Sequence, residues 1–167
     1  MLIGISGHQR LQNPYSWEWV RRELENTVAS FPQPIVGITS LAIGADTLFA
    51  RVVLELGGSL KVVVPFAGYE EKFEEDQAKQ QYWDLLNRAA SVEVLQKNGT
   101  DEERYYAAGK RVADLSELVI LVWNGKPAAG LGGTADIAEY ARQCQKATIH
   151  LNPDTREVTS GREETNG

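Results

Sequence analysis

Apolar runs and amphipathic stretches alternate along this chain, and the alternation predicts its elements. Residues 2–6 form a first apolar run, read as a strand. Asn13 predicts a helix N-cap with Pro14 at the first helical position, and Trp17, Val20, Leu24 and Val28 follow at helical spacing. Pro32 and Pro34 end that helix, and 35–38 reads as a second strand. After Gly44 the residues Leu48, Phe49, Val52, Val53 and Leu56 mark a second helix, closed by Gly57-Gly58. Residues 60–64 are a nearly unbroken β-branched run, the pattern of a strand covered on both faces. The polar stretch 69–87, with Phe73, Trp83, Leu85 and Leu86, predicts one or two helices, and 92–95 a short strand. Thr100-Asp101-Glu102-Glu103 fits a capping box before a helix carrying Tyr105, Ala108, Val112 and Leu115. Residues 118–123 predict a fifth strand, 134–145 a helix and 147–151 a last strand. Beyond 152 the chain is rich in Thr, Glu, Arg and Gly without apolar periodicity. The expected organisation is one domain, residues 1–151, followed by a flexible polar tail, 152–167.

This alternation predicts an α/β fold, a doubly wound, mostly parallel sheet with helices on both faces. Composition narrows the partners. The net charge is -6, and the basic residues, among them Arg10, Arg21, Lys110 and Lys126, are scattered. Nucleic-acid binding needs a basic stripe, so a polyanion is not the expected partner. No apolar run approaches the roughly 20 residues that span a bilayer, so no membrane partner is expected. The first residues read as a strand and not as a basic leader, and Cys144 is the single cysteine; together these predict a cytoplasmic protein. Two histidines and one cysteine predict no metal cluster. Cys144 falls at helical spacing from Ile137 and Ala141 and is expected as a buried small apolar residue, and His150 as a structural one.

In doubly wound sheets ligands bind outside the carboxyl ends of the strands, so the loops that follow strands carry the chemistry. The richest is Gly130-Leu131-Gly132-Gly133-Thr134, between the fifth strand and a helix. Glycines let backbone N–H groups approach a ligand, and a helix start adds unpaired donors and a partial positive charge, so a phosphate is the natural guest. Its approach, Trp123-Asn124-Gly125-Lys126, offers a ring to flank a base and a cation. Asp136, in the first helical turn, faces a sugar, faces water or acts as a cap. After the first strand come Gly7, for a tight turn, then His8 and Arg10 as polar and cationic groups. After the second come Ser40, Gly44, Ala45 and Asp46, with hydroxyl and N–H groups for phosphate or ribose. Asp46 either accepts from ribose hydroxyls or complements the helix dipole. After the third come Pro65 and Phe66, with Phe66 and Tyr69 as candidates to stack on a base.

None of these loops matches the G-x-G-x-x-G dinucleotide fingerprint or the Walker A pattern. Two motifs resemble another group. Thr39-Ser40-Leu41-Ala42-Ile43-Gly44-Ala45-Asp46 is similar to the Ser-Gly-Leu-Ala-x-Gly-Ile-Asp segment of the DNA-processing protein A members of the SLOG superfamily, and Gly132-Gly133-Thr134 to the glycine–threonine nucleotide loop shared more widely with its Lonely-guy phosphoribohydrolases. The resemblance implies a Rossmann-like domain binding a nucleotide or an ADP-ribose-like ligand, with no other cofactor required, and a homodimer or higher homo-oligomer. The hydrolases carry Pro-Gly-Gly-x-Gly-Thr-x-x-Glu. Aligned on Gly133-Thr134, this chain has Ala129 for the proline, Leu131 for the second glycine and Ile137 for the catalytic glutamate. The first expectation is therefore binding of a nucleotide or NAD-derived small molecule. The alternative is N-glycosidic hydrolysis of a nucleoside 5′-monophosphate, with Asp46 or Asp136 as catalytic carboxylate. A weaker alternative, from the DNA-processing members, is single-stranded DNA binding.

Overall fold

Leu118-Val119-Ile120-Leu121-Val122 is buried along its whole length, and in a chain where apolar runs alternate with helices such a strand must have neighbours on both edges and helices on both faces. The computed structural model describes residues 1–128 and 130–161 and shows both. The strands are β1 (Leu2–Gly7), β2 (Val36–Thr39), β3 (Ser59–Val64), β4 (Ser91–Val94), β5 (Leu118–Val122), β6 (Ala147–Asn152) and β7 (Glu157–Gly161). They form one sheet in the order β4-β3-β2-β1-β5-β6-β7. All pairs are parallel except β6 with β7. Strand order reverses between β1 and β5, so the crevice that such folds use for ligands opens at the carboxyl ends of those two strands.

The helices are α1 (Ser16–Ala29), α2 (Ala45–Glu55), α3 (Asp76–Asn87), α4 (Asp101–Leu115) and α5 (Thr134–Gln143). The main core lies on one face, where Val20 and Leu24 of α1 and Phe49 and Val53 of α2 meet Ile3 and Ile5 of β1. On the other face Ala108 and Val112 of α4 pack with Ile38 and Val63. The doubly wound, mostly parallel fold expected from the pattern is the fold observed. Thr100 forms the expected capping box: its Oγ1 accepts from the Glu103 amide at 3.2 Å, and the Glu103 carboxylate accepts from the Thr100 amide at 2.7 Å. Thr100→Ala is expected to cost about 1 kcal/mol and to lower Tm by about 2–4 °C in a thermal melt.

Three local expectations need correction, and a fourth, the one or two helices of 69–87, is met by two. Helix α1 starts at Ser16, not after Asn13, because Asn13 spends its side-chain oxygen on the Tyr15 amide and its carbonyl on the Ser16 amide, making a turn first. The 69–87 stretch splits into a single 3-10 turn, Tyr69–Lys72, and α3. Phe73 between them is extended, with its ring edge-on to Tyr69 and Tyr82 at 5.1 and 5.3 Å. Cys144 is exposed, because α5 ends at Gln143 and the buried stripe stops with Ala141. The segment expected as an open tail instead turns at Asn152, whose side chain accepts from the Asp154 and Thr155 amides, and pairs antiparallel with β6 as β7. Every residue of β7 is exposed, so it has no apolar pattern to read; backbone pairing alone defines it. The remainder of that expected tail, 162–167, and Ala129 lie outside the described residues.

Candidate functional site

Three post-strand loops are bolted together at the switch point, largely through His8. Its amide donates to the Val122 carbonyl at 3.0 Å, its carbonyl accepts from the Ala45 amide at 3.1 Å, and its Nε2 accepts from the Asn124 amide at 3.1 Å. An imidazole nitrogen that accepts is unprotonated, which puts any ring proton of neutral His8 on Nδ1. Gly44, the N-cap of α2, has φ of 87° and ψ of -122°. A Cβ there would lie 2.5 Å from the Gln9 carbonyl oxygen and 2.6 Å from that of His8, so the β1 and β2 loops touch backbone to backbone.

Beneath these loops is a cavity of about 220 Å³. Gly7, His8, Ser40, Asp46 and Pro65 line it from the strand ends, Gly132, Gly133 and Thr134 from the start of α5. Eight of the expected ligand residues thus share one space. Its remaining wall is α4, through Tyr105, Ala108, Gly109 and Val112, with Ile137 of α5 beside them. The sequence reading missed the α4 wall. The signal was Gly109, a lone glycine inside a helical pattern: a Cβ there would lie 2.4 Å from Cδ1 of Ile137. Gly132 has φ of 90°, and a Cβ on it would lie 2.9 Å from the Glu102 carbonyl oxygen, so the glycine loop also rests directly on α4.

The two aspartates serve the loops. Oδ2 of Asp46 accepts from Thr39 Oγ1 at 3.1 Å, from the Ser40 amide at 3.2 Å and from the Ala42 amide at 3.4 Å. The amides expected to be free for phosphate in this loop are therefore already occupied by an internal anion. Asp46 is 6% exposed, and burial pushes its carboxyl up from 3.8 to about 6 against the opposing pull of those three donors. No described residue bonds its second oxygen. Asp136 caps its own loop, with Oδ2 accepting from the Gly132 amide at 2.8 Å. The amides of Gly133, Thr134 and Ala135 have no acceptor among the described residues, and Gly133 and Thr134 line the cavity. Ser40 Oγ is shielded from solvent and has no partner among the described residues.

The other expected ligand residues stand elsewhere. Phe66 is buried in the core, edge-on to Tyr69 at 5.8 Å and beneath the Arg104 guanidinium, so its face is not offered to a base. Ala45 is fully buried. Trp123, Asn124, Gly125 and Lys126 form a closed turn, in which Trp123 Nε1 donates to the Lys126 carbonyl and the Lys126 amide to Asn124 Oδ1. Trp123 stacks on His150, whose Nε2 meets the Trp123 carbonyl at 2.6 Å. Gly130 is exposed and outside the cavity, and Arg10 lines a second, neighbouring one. Among the described residues, no group of three or more His, Cys, Asp and Glu is placed to hold a metal, and no helix is long and apolar enough to cross a membrane.

A doubly wound α/β domain with a cleft at its switch point is the class that this fold and site define. Among solved structures the chain is similar to DNA processing protein A from Helicobacter pylori, in a structure concerned with that protein's single-stranded DNA binding mode (TM-score 0.61, 18% identity, 90% of this chain and 65% of that one). It is similar to DNA processing protein A from Streptococcus pneumoniae (TM-score 0.61, 17% identity, 89% of this chain and 49% of that one). It is also similar to TM1055, a structural-genomics target (TM-score 0.54, 15% identity, 88% of this chain and 71% of that one). At these identities the likeness is one of fold, and it agrees with the resemblance that Thr39-Ser40-Leu41-Ala42 and the residues after it bear to the DNA-processing members of the SLOG superfamily. The chain spans between about half and two thirds of the DNA processing proteins. No family model matches it, and no curated protein matches it in sequence.

Proposed function

We propose that the switch-point cavity binds a nucleotide or an NAD-derived ribosyl phosphate, with a phosphate on the start of α5. The observation that carries this reading is the pair of amides at Gly133 and Thr134 that have no acceptor among the described residues, on two residues that line the same small cavity as Ser40. Open amides at a helix start attract an anion, and a hydroxyl beside them suits a sugar. A thermal-shift series with ribose 5-phosphate, AMP, NAD, ADP-ribose and oligo(dT) tests it. A ligand at 100 times its Kd adds about 2.7 kcal/mol, and so raises Tm by about 5–10 °C. Gly133→Asp sharpens the test. Aspartate is a favoured N-cap, so the helix is kept while a negative charge faces the phosphate. The variant should bind at least tenfold more weakly, and Gly133→Asn should not. A flat series, or equal binding by Gly133→Asp, sinks the reading.

A second reading, hydrolysis of a nucleoside monophosphate, is favoured by one observation. Asp46 borders the cavity with one oxygen unbonded and its carboxyl raised to about 6, the range of a general base. Water would attack C1′ as the N-glycosidic bond breaks, and Asp46 would take the water proton and pass it to the departing base, so that free base and ribose 5-phosphate leave and the carboxylate is restored. Chromatography of AMP incubations reads free base directly. Binding without base release, or release undiminished in Asp46→Asn, removes this reading.

A further inference from the structure

A second cavity adjoins the switch-point cavity. Gln9, Tyr69 and Tyr105 line both, and the second, of about 560 Å³, is bounded by the 3-10 turn and α3. At about 220 Å³ the first chamber alone is smaller than the roughly 300–1,000 Å³ of ordinary ligand pockets; the two adjoining cavities together reach that range. From this contiguity, and resting on the reading of the first chamber as a phosphate site, we infer that the cleft takes two nucleosides joined through a bridging phosphate, the second nucleoside lying against α3.

The charges and the amides of the second chamber specify that chemistry. Arg10 stands one residue past the shared wall, exposed and without a salt bridge or hydrogen bond among the described residues. Lys72, the other cation, is held by Asp101 at 2.6 Å, so Arg10 is the cation left for a phosphate at the junction. Glu74 and Glu75, both exposed, also line this chamber. Those carboxylates repel a terminal phosphate and accept from sugar hydroxyls or exocyclic amines, so the far half of the ligand is a neutral nucleoside. Gln77 and Gln81 lie one turn apart on α3, on one face of the helix, and both line the chamber. A carboxamide donates and accepts together, as a base edge requires. Tyr105, half-buried, supplies aromatic surface for a planar ring.

Two sources share this chemistry, pyrophosphate-linked dinucleosides and phosphodiester-linked dinucleotides, and titration calorimetry with defined compounds separates them. The probes are ribose 5-phosphate, AMP, ATP, diadenosine pyrophosphate and the dinucleotide pApA, each against wild type and against the double variant Gln77→Ala, Gln81→Ala. One of the two joined compounds should bind wild type at least tenfold more tightly than AMP, and ATP should show no such gain. The double variant should lose that gain while its Kd for AMP stays unchanged. AMP binding with no gain for either joined compound overturns the two-nucleoside inference alone, as does a gain the double variant keeps. No binding of any probe overturns the phosphate site beneath it as well.

Discussion

Gly44→Ala is expected to destabilise the protein by about 3–5 kcal/mol, the upper end of single-residue effects. Two causes add. At φ of 87° and ψ of -122° the backbone is in a region that L side chains rarely adopt, a strain of about 1–3 kcal/mol. The new methyl would also meet the carbonyl oxygens of Gln9 and His8 at 2.5 and 2.6 Å. Backbone cannot rotate away as a side chain can, so the β1 and β2 loops must separate, taking with them the bond between the His8 carbonyl and the Ala45 amide. Urea unfolding should show the midpoint lowered by about 1–2 M at an unchanged slope. Because those loops roof the cavity, ligand affinity should fall with stability. A midpoint within error of wild type would mean that the two loops are not in contact.

The second large effect is in pH. Asp46 ionises at about 6 in the folded protein against 3.8 ordinarily. Between those values the native state holds a proton that the unfolded chain has lost, so stability falls as pH rises through the window. The cause is desolvation first, offset in part by Thr39, Ala42 and Ser40. The shift corresponds to about 3 kcal/mol, present as extra stability below the window and absent above it. Other carboxylates titrate nearby, so the quantity to measure is a difference. The unfolding free energy of wild type minus that of Asp46→Asn should drop by about 2 kcal/mol between pH 4 and pH 7, since pH 4 already lies just inside the window. Parallel curves for the two proteins would show that Asp46 ionises at its ordinary value.

The sheet was legible because its strands are buried and therefore apolar. The run 118–122 and the run 60–64 announce themselves, and their order with the helices between them fixes a doubly wound fold. β7 was not legible, because a strand that buries no side chain leaves no pattern in the residues. Much of the site was legible too. Gly7, His8, Ser40, Asp46 and the 132–134 turn converge because each directly follows a strand, and topology brings strand ends together. The α4 wall follows no strand, so a search of post-strand loops passes over Tyr105 and Gly109. Phe66 misled for a related reason: position after a strand predicts nearness to the crevice, not the direction of a ring. The partners of Asp46 and Asp136 were equally hidden, since a carboxylate beside a glycine loop reads the same whether it meets a ligand or its own backbone.

The contact of Ile137 with Gly109 bears on what this fold can become. In the phosphoribohydrolase motif the position of Ile137 holds the catalytic glutamate; here it is a joint between two helices. Its Cδ1 lies where even the first carbon of a side chain on α4 would collide, and it is 2% exposed. A glutamate at 137 would have to take the place that Ile137 fills against Gly109, on the wall of the switch-point cavity. The helix that gives the cavity its wall therefore also limits which side chains the first turns of α5 can hold.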